Sequence, residues 1–217
     1  MARNFVNLGR VLATAGRTQE AEQSYRTALN LLERLVLIEE FSESAHHREE
    51  LVRSYLQLVS LLWELGRQTE AAEPYRKALK VGPEDSAVNN ELAWFLATSP
   101  EPRLRDAALA VRLAKKAVTA QPEDGDCRNT LGVAYYRNGD DRAAIDELEK
   151  AMSLRKGGDS FDWFVLAMAH CRLGDRDKAR RWFERAVQWM DRHKPHDDEL
   201  RRFRKEAETV LAGTGKR

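Results

Sequence analysis

The 217-residue chain is 33% charged and 42% apolar with a net charge of +1, a balance that suits narrow amphipathic helices, each burying one stripe and wetting the rest. Near-neutrality gives no electrostatic case for nucleic acid, which needs a clustered basic face. No apolar run approaches the roughly 20 residues that span a bilayer, and the opening MARNFVNLGR has no signal-peptide apolar core.

From the first residues onward one spacing recurs. A Gly is followed by Ala at +5, an aromatic or Leu at +9 and Ala at +12: Gly16, Ala21, Tyr25, Ala28; Gly66, Ala71, Tyr75, Ala78; Gly139, Ala144, Leu148, Ala151; Gly174, Ala179, Phe183, Ala186. Eight residues before each Gly stands Leu8, Leu58, Leu131 or Leu166, next to Gly9, Val59, Gly132 or Ala167. Each unit reads as helix, tight turn, helix, with small residues where two helices touch closely.

In chain order, the first helix runs from about Ala2 to Ala15, and the second opens near Thr18. The second is overlong: Leu29, Leu32, Leu35 and Val36 carry its pattern to about Ile38. The next helix starts near Ala45, and the interval from Gly16 to Gly66 is 50 residues against about 34 in a standard unit. The spacing therefore predicts a taller hairpin, by about two turns on each side, with its tip near Ser42 and Ser44. Gly82 and Pro83 are expected to stop the fourth helix. Pro74, inside it, predicts a kink or a late start, because it removes an N–H and crowds the Glu70 carbonyl.

Leu92, Ala93 and Leu96 mark a disguised third unit whose Gly turn is replaced by TSPEPRLRD, after which Ala110, Ala114 and Ala117 resume the second-helix spacing. Two further units follow. Beyond Pro195, Leu200, Phe203, Ala207, Val210 and Leu211 fall on one face of a closing helix that Asp197 or Asp198 can cap. Solenoid ends need such a cap with a polar outer surface.

The repeated spacing resembles the tetratricopeptide repeat (TPR) over nearly the whole chain. The resemblance implies an all-α, right-handed superhelical solenoid of five helix-turn-helix repeats plus a C-terminal capping helix: an array over 1–195, with repeats at about 2–44, 45–85, 86–122, 123–157 and 159–192, then capping helix and tail over 196–217. Two segments are more particular. WELGRQTEAAEPYRKAL and NNELAWFLATSPEPRLRDAALAVRLAKKAV, followed by TLGVAYYRNGDDRAAIDELEKAMSL, look like the C-terminal TPR regions of certain bacterial serine/threonine kinases. That implies a bacterial regulatory or self-associating tail whose catalytic domain lies outside this chain. The chain itself has no Gly-rich nucleotide loop, His-Arg-Asp loop or Asp-Phe-Gly motif.

No catalytic role is assigned, because no Ser, Cys or Lys has a recognisable activating partner in sequence. His46 and His47 are adjacent and point different ways on a helix. His193 and His196 straddle Pro195, and zinc would need three or four convergent ligands, so neither a metal nor a cofactor is expected. His170 stands where other repeats have Leu12, Leu62 and Tyr135, which favours a packing role. Cys127 and Cys171 fall near the start of one first helix and the end of the next, too far apart for a disulfide at ~1.5 Å per residue. Buried thiols in a reducing, cytoplasmic setting are expected.

The resemblance implies a non-enzymatic scaffold that binds a protein or peptide segment along the concave side, lined by the first helices. Taking the stripe around each small residue, the candidate groove residues are Trp63 from the second repeat, Asn90 and Trp94 from the third, Asn129, Val133 and Tyr136 from the fourth, and Phe164 and Met168 from the fifth. Val6 and Arg10 fall at the corresponding places in the first. Asn90 and Asn129 occupy equivalent places, where an Asn offers a peptide backbone both a donor and an acceptor. The Lys/Asn/Arg clamp of chaperone-binding TPRs is absent: its places hold Val6 and Arg10, Leu56 and Gln57, Ala87 and Glu91.

Overall fold

The computed structural model describes residues 1–38, 44–81 and 86–213. Among the described residues are eleven α-helices, one short 3-10 turn and no strand. The helices are α1 (Ala2–Thr14), α2 (Thr18–Ile38), α3 (Ser44–Glu64), α4 (Gln68–Lys80), α5 (Ser86–Thr98), α6 (Ala107–Ala120), α7 (Gly125–Arg137), α8 (Asp141–Leu154), α9 (Ser160–Arg172), α10 (Arg176–His193) and α11 (Asp198–Gly213). This is the TPR solenoid architecture the repeat spacing predicts.

The four glycines sit in the left-handed region, with φ of 74°, 73°, 86° and 86° at Gly16, Gly66, Gly139 and Gly174. No heavy atom would meet a Cβ at any of them, so the residue is required by backbone conformation and not by space. Each closes the same hydrogen-bonded stop. The Gly174 N–H donates to the Cys171 carbonyl (3.1 Å) and the Asp175 N–H to the His170 carbonyl (2.9 Å), and Gly139 and Asp140 do the same with Tyr136 and Tyr135 (3.2 and 3.0 Å).

The alanines at +5 and +12 are all buried to 1% exposure or less. The small residue of the first helix meets the large residue of the second: a Cβ on Gly9 would lie 2.7 Å from the Tyr25 ring, and one on Gly132 2.6 Å from Leu148 Cγ. Leu58, Leu131 and Leu166 are buried at 1%, 4% and 0%, while Leu8 on α1 is 46% exposed.

The chain divides into two compact units. One comprises Met1–Phe95 with Ser99–Leu104, the other Leu96–Thr98 with Arg105–Arg217. In the first unit α2 and α3 each have 21 residues, against 13 for α1 and α4, which is the predicted two-turn extension. The expected tip lies partly outside the described residues, as do Gly82 and Pro83. Helix α4 runs from Gln68 to Lys80 with Pro74 inside it, so there is no late start.

The second unit is capped by aspartates. Asp106, Asp124, Asp140, Asp159 and Asp175 each accept a backbone N–H at the start of α6 to α10, and Asp197 accepts the Leu200 N–H (2.9 Å) at the start of α11. In the first unit the residue after the turn glycine is Arg, and Arg17 and Arg67 instead fork onto Glu20 and Glu70, at 2.6–2.7 Å.

Candidate partner-binding surfaces

In the first unit α1 and α3, the first helices of successive repeats, are in contact. Arg3, Val6, Asn7 and Arg10 on α1 and Glu50, Arg53 and Gln57 on α3 line an open cavity of ≈ 370 Å³. Spacing of three to four residues places the α1 set on one helix face. Arg53 is held by Glu49 (2.5 Å) and Glu91 (2.9 Å), and Arg3 approaches Glu50 only to 3.8 Å. Arg10 is exposed and makes no ion pair with a described residue, so the cavity carries an uncompensated cation. Trp63, Asn90 and Trp94 are half-buried, and the Asn90 Oδ1 is buried without a hydrogen-bond partner among the described residues.

The second unit places its candidate residues differently. Val133, Tyr136, Phe164 and Met168 have 0% exposure and Asn129 has 7%, so none of the five presents open surface. Asn129 is engaged internally: its amide donates to Asp162 Oδ1 (2.8 Å), which also accepts from Arg155 (2.5 Å). The Asp162 carboxyl is fully buried. Desolvation pushes it above the ordinary carboxylate range, opposed by the Asp159 N–H, Arg155 and Asn129. Phe164 packs on Phe183 of α10 at a centroid distance of 5.9 Å. The Tyr136 hydroxyl donates to Met168 Sδ (3.3 Å), while the Arg172 guanidinium lies over its ring at 3.9 Å.

Helix α11 explains part of this burial. It packs mainly on α9 and less on α10, the reverse of how α9 rests on α8 and α7. The Arg137 guanidinium on α7 grips both carboxylate oxygens of Glu206, one at 2.8 Å, and lies 5.5 Å from the centroids of Tyr136 and Phe203. Phe203 meets Phe161 edge-on at 5.6 Å, and the Cys171 thiol points at the Val210 carbonyl (3.7 Å). The closing helix therefore packs along α9 of its own unit and reaches α7 through the Arg137 side chain. Its apolar stripe and its Asp197 cap were legible in the sequence; the direction in which it folds back was not, because periodicity names the buried face and not what covers it.

Both cysteines are buried, and burial pushes the Cys127 thiol up to about 11, away from reactive thiolate character. His170 is 6% exposed, in the packing position assigned to it. His193 Nδ1 faces the Trp189 carbonyl (2.9 Å) and His196 faces Arg201 (2.9 Å). Among the described residues no three His, Cys, Asp or Glu side chains converge as metal ligands. No helix in the described residues is long and apolar enough to cross a membrane.

Comparison with known proteins bears directly on this architecture. Four models described as tetratricopeptide repeat match residues 5–39, 52–85, 103–159 and 160–193, which together cover most of the chain. The chain is a tetratricopeptide repeat protein. Among solved structures it is similar to TTC0263, a thermophilic TPR protein of Thermus thermophilus, with a TM-score of 0.59 and 18% identity, over 96% of this chain and 99% of that one. It is also similar to MamA from AMB-1 (TM-score 0.52, 24% identity, 86% and 98% coverage) and to MamA from Desulfovibrio magneticus RS-1 (0.52, 19%, 89% and 97%). At these identities the likeness concerns the fold. No curated protein matches the sequence.

Proposed function

We propose that the protein is a non-enzymatic scaffold that binds a protein segment on the inner surface of its first unit. The observation that carries this reading is the contrast between the two inner surfaces. Between α1 and α3 a cavity of ≈ 370 Å³ stands open with Arg10 unpaired, whereas in the second unit Asn129, Val133, Tyr136, Phe164 and Met168 are buried and α11 packs along α9. A segment with an acidic side chain would meet Arg10 and Arg3, and apolar side chains would seek the half-exposed Trp63 and Trp94. The regulatory-tail reading, with a kinase domain outside this chain, rests on the sequence resemblance alone.

Capture with the full chain followed by mass spectrometry supplies a partner, and calorimetric titration then tests the surface. Trp63→Ala with Trp94→Ala should weaken binding at least a hundredfold, since buried aromatic anchors contribute ~2 kcal/mol or more each. Arg201→Ala with Arg204→Ala, both on α11, should leave it unchanged. Full affinity in a folded Trp63/Trp94 variant refutes the assignment.

A further inference from the structure

A second surface in the second unit departs from its own repeat pattern. The groove between α8 and α10, floored by α9, encloses ≈ 350 Å³ and is lined by His170, Lys178, Arg181, Trp182 and Arg185, with Glu149 on the α8 side. Counting from each turn glycine, the place of Arg181 is held by Gln23, Glu73 and Asp146 in the other Gly-turn repeats, and that of Trp182 by Ser24, Pro74 and Glu147. His170 replaces Leu12, Leu62 and Tyr135. The solenoid needs none of these three substitutions, because the other repeats fold without them.

The polar groups of this groove are under-used. His170 is 6% exposed, yet its Nε2 has no hydrogen-bond partner among the described residues, and its Nδ1 stands 3.8 Å from Asp175, beyond hydrogen-bond distance. Asp175 is already engaged as the α10 cap and by Lys178 at 3.4 Å. Arg181 makes no ion pair with a described residue. The Arg185 guanidinium lies 4.3 Å from the Trp163 ring centroid and 5.4 Å from that of Trp182, which fixes its plane while leaving its N–H edge free.

We propose that this groove binds a phosphoryl group carried on an aromatic or apolar stem, as on a phosphorylated side chain of a partner protein. The guanidinium groups of Arg181 and Arg185 and the Lys178 ammonium supply charge-assisted donors to the phosphate oxygens. The His170 Nε2–H tautomer supplies a neutral donor from the floor, and Trp182 supplies an apolar wall for the stem. The site lies on α8, α9 and α10 of the second unit and does not depend on the partner-binding reading above.

The test is a titration of the full chain with phenyl phosphate, followed through the His170 ring and Trp182 indole resonances. Saturable shifts are expected at both. Arg181→Gln with Arg185→Gln, two exposed positions, should raise the Kd at least tenfold. His170→Leu, which installs the residue of the first two repeats, should raise it severalfold with circular dichroism unchanged. Inorganic phosphate should bind at least tenfold more weakly than phenyl phosphate. Absence of saturable shifts, parental affinity in the Arg181/Arg185 variant, or equal binding of inorganic phosphate would each overturn the proposal.

Discussion

At the residue scale the solenoid depends on a few positions whose chemistry is narrowly set. Lys156 is the one described non-glycine residue with a left-handed backbone, φ 54°, at a helix stop where its N–H donates to the Ser153 carbonyl and the Gly157 N–H to that of Met152. Lys156→Gly should therefore stabilise the protein by about 1 kcal/mol, read from a denaturation midpoint; a loss of stability would show that the Lys side chain contributes more than the backbone strain costs. Gly132→Ala should do the opposite. Its Cβ would overlap Leu148, and overpacking costs about 1–3 kcal/mol. His170 gives a pH signature. Burial first, then Lys178, pulls its pKa below the ordinary 6.5, while Asp175 and Glu149 pull the other way. A depressed folded value means that the unfolded chain takes up the proton first. The contribution is intact above about pH 6.5 and is lost as pH falls through the window below it. His170→Leu should flatten that part of the stability profile.

The turn glycines and the helix-contact alanines were legible because each is fixed by a local constraint, a positive φ or a close approach, that shows directly in spacing. Asn129, Val133, Tyr136, Phe164 and Met168 illustrate what spacing leaves open. The same stripe that faces a groove in an open array becomes interior when Phe183, Arg172 or α11 packs against it. A helical period cannot distinguish these cases, since both present an apolar stripe.

At the element scale, α11 packs its apolar stripe mainly on α9 and less on α10. Leu200, Phe203 and Ala207 are exposed by 2% or less, so deleting residues 198–217 should cost several kcal/mol at ~25 cal/mol per Å² of exposed apolar surface and promote aggregation. An unchanged melting temperature and a monodisperse truncated protein would refute the capping role. Helix α4 offers the contrary case. Pro74 removes one N–H from the interior of a continuous helix, and Pro74→Ala should stabilise the first unit by about 1–3 kcal/mol; no gain in thermal midpoint would show that the ring's packing offsets the missing bond. The extended pair α2 and α3 was readable from the 50-residue interval because its apolar period never lapses. The Asp140 and Asp175 caps were readable in principle as Gly-Asp after the turn glycines, whereas Gly-Arg in the first unit hides its Arg–Glu forks among ordinary surface charges.

At the scale of the whole molecule, one repeat pattern serves two units with different exposed chemistry. The first has an open cavity between α1 and α3 with Arg10 unpaired; the second packs α11 along α9 and carries a groove lined by Trp182, Arg181 and Arg185. Hydrogen exchange of the full chain, with and without a captured partner, tests that division most directly. The account predicts added protection in α1 and α3, with little change in α7 and α9, and loss of that protection in the Trp63→Ala, Trp94→Ala variant. Protection confined to α7 and α9 with α11 released, or a variant that is protected as fully as the parent, would contradict it.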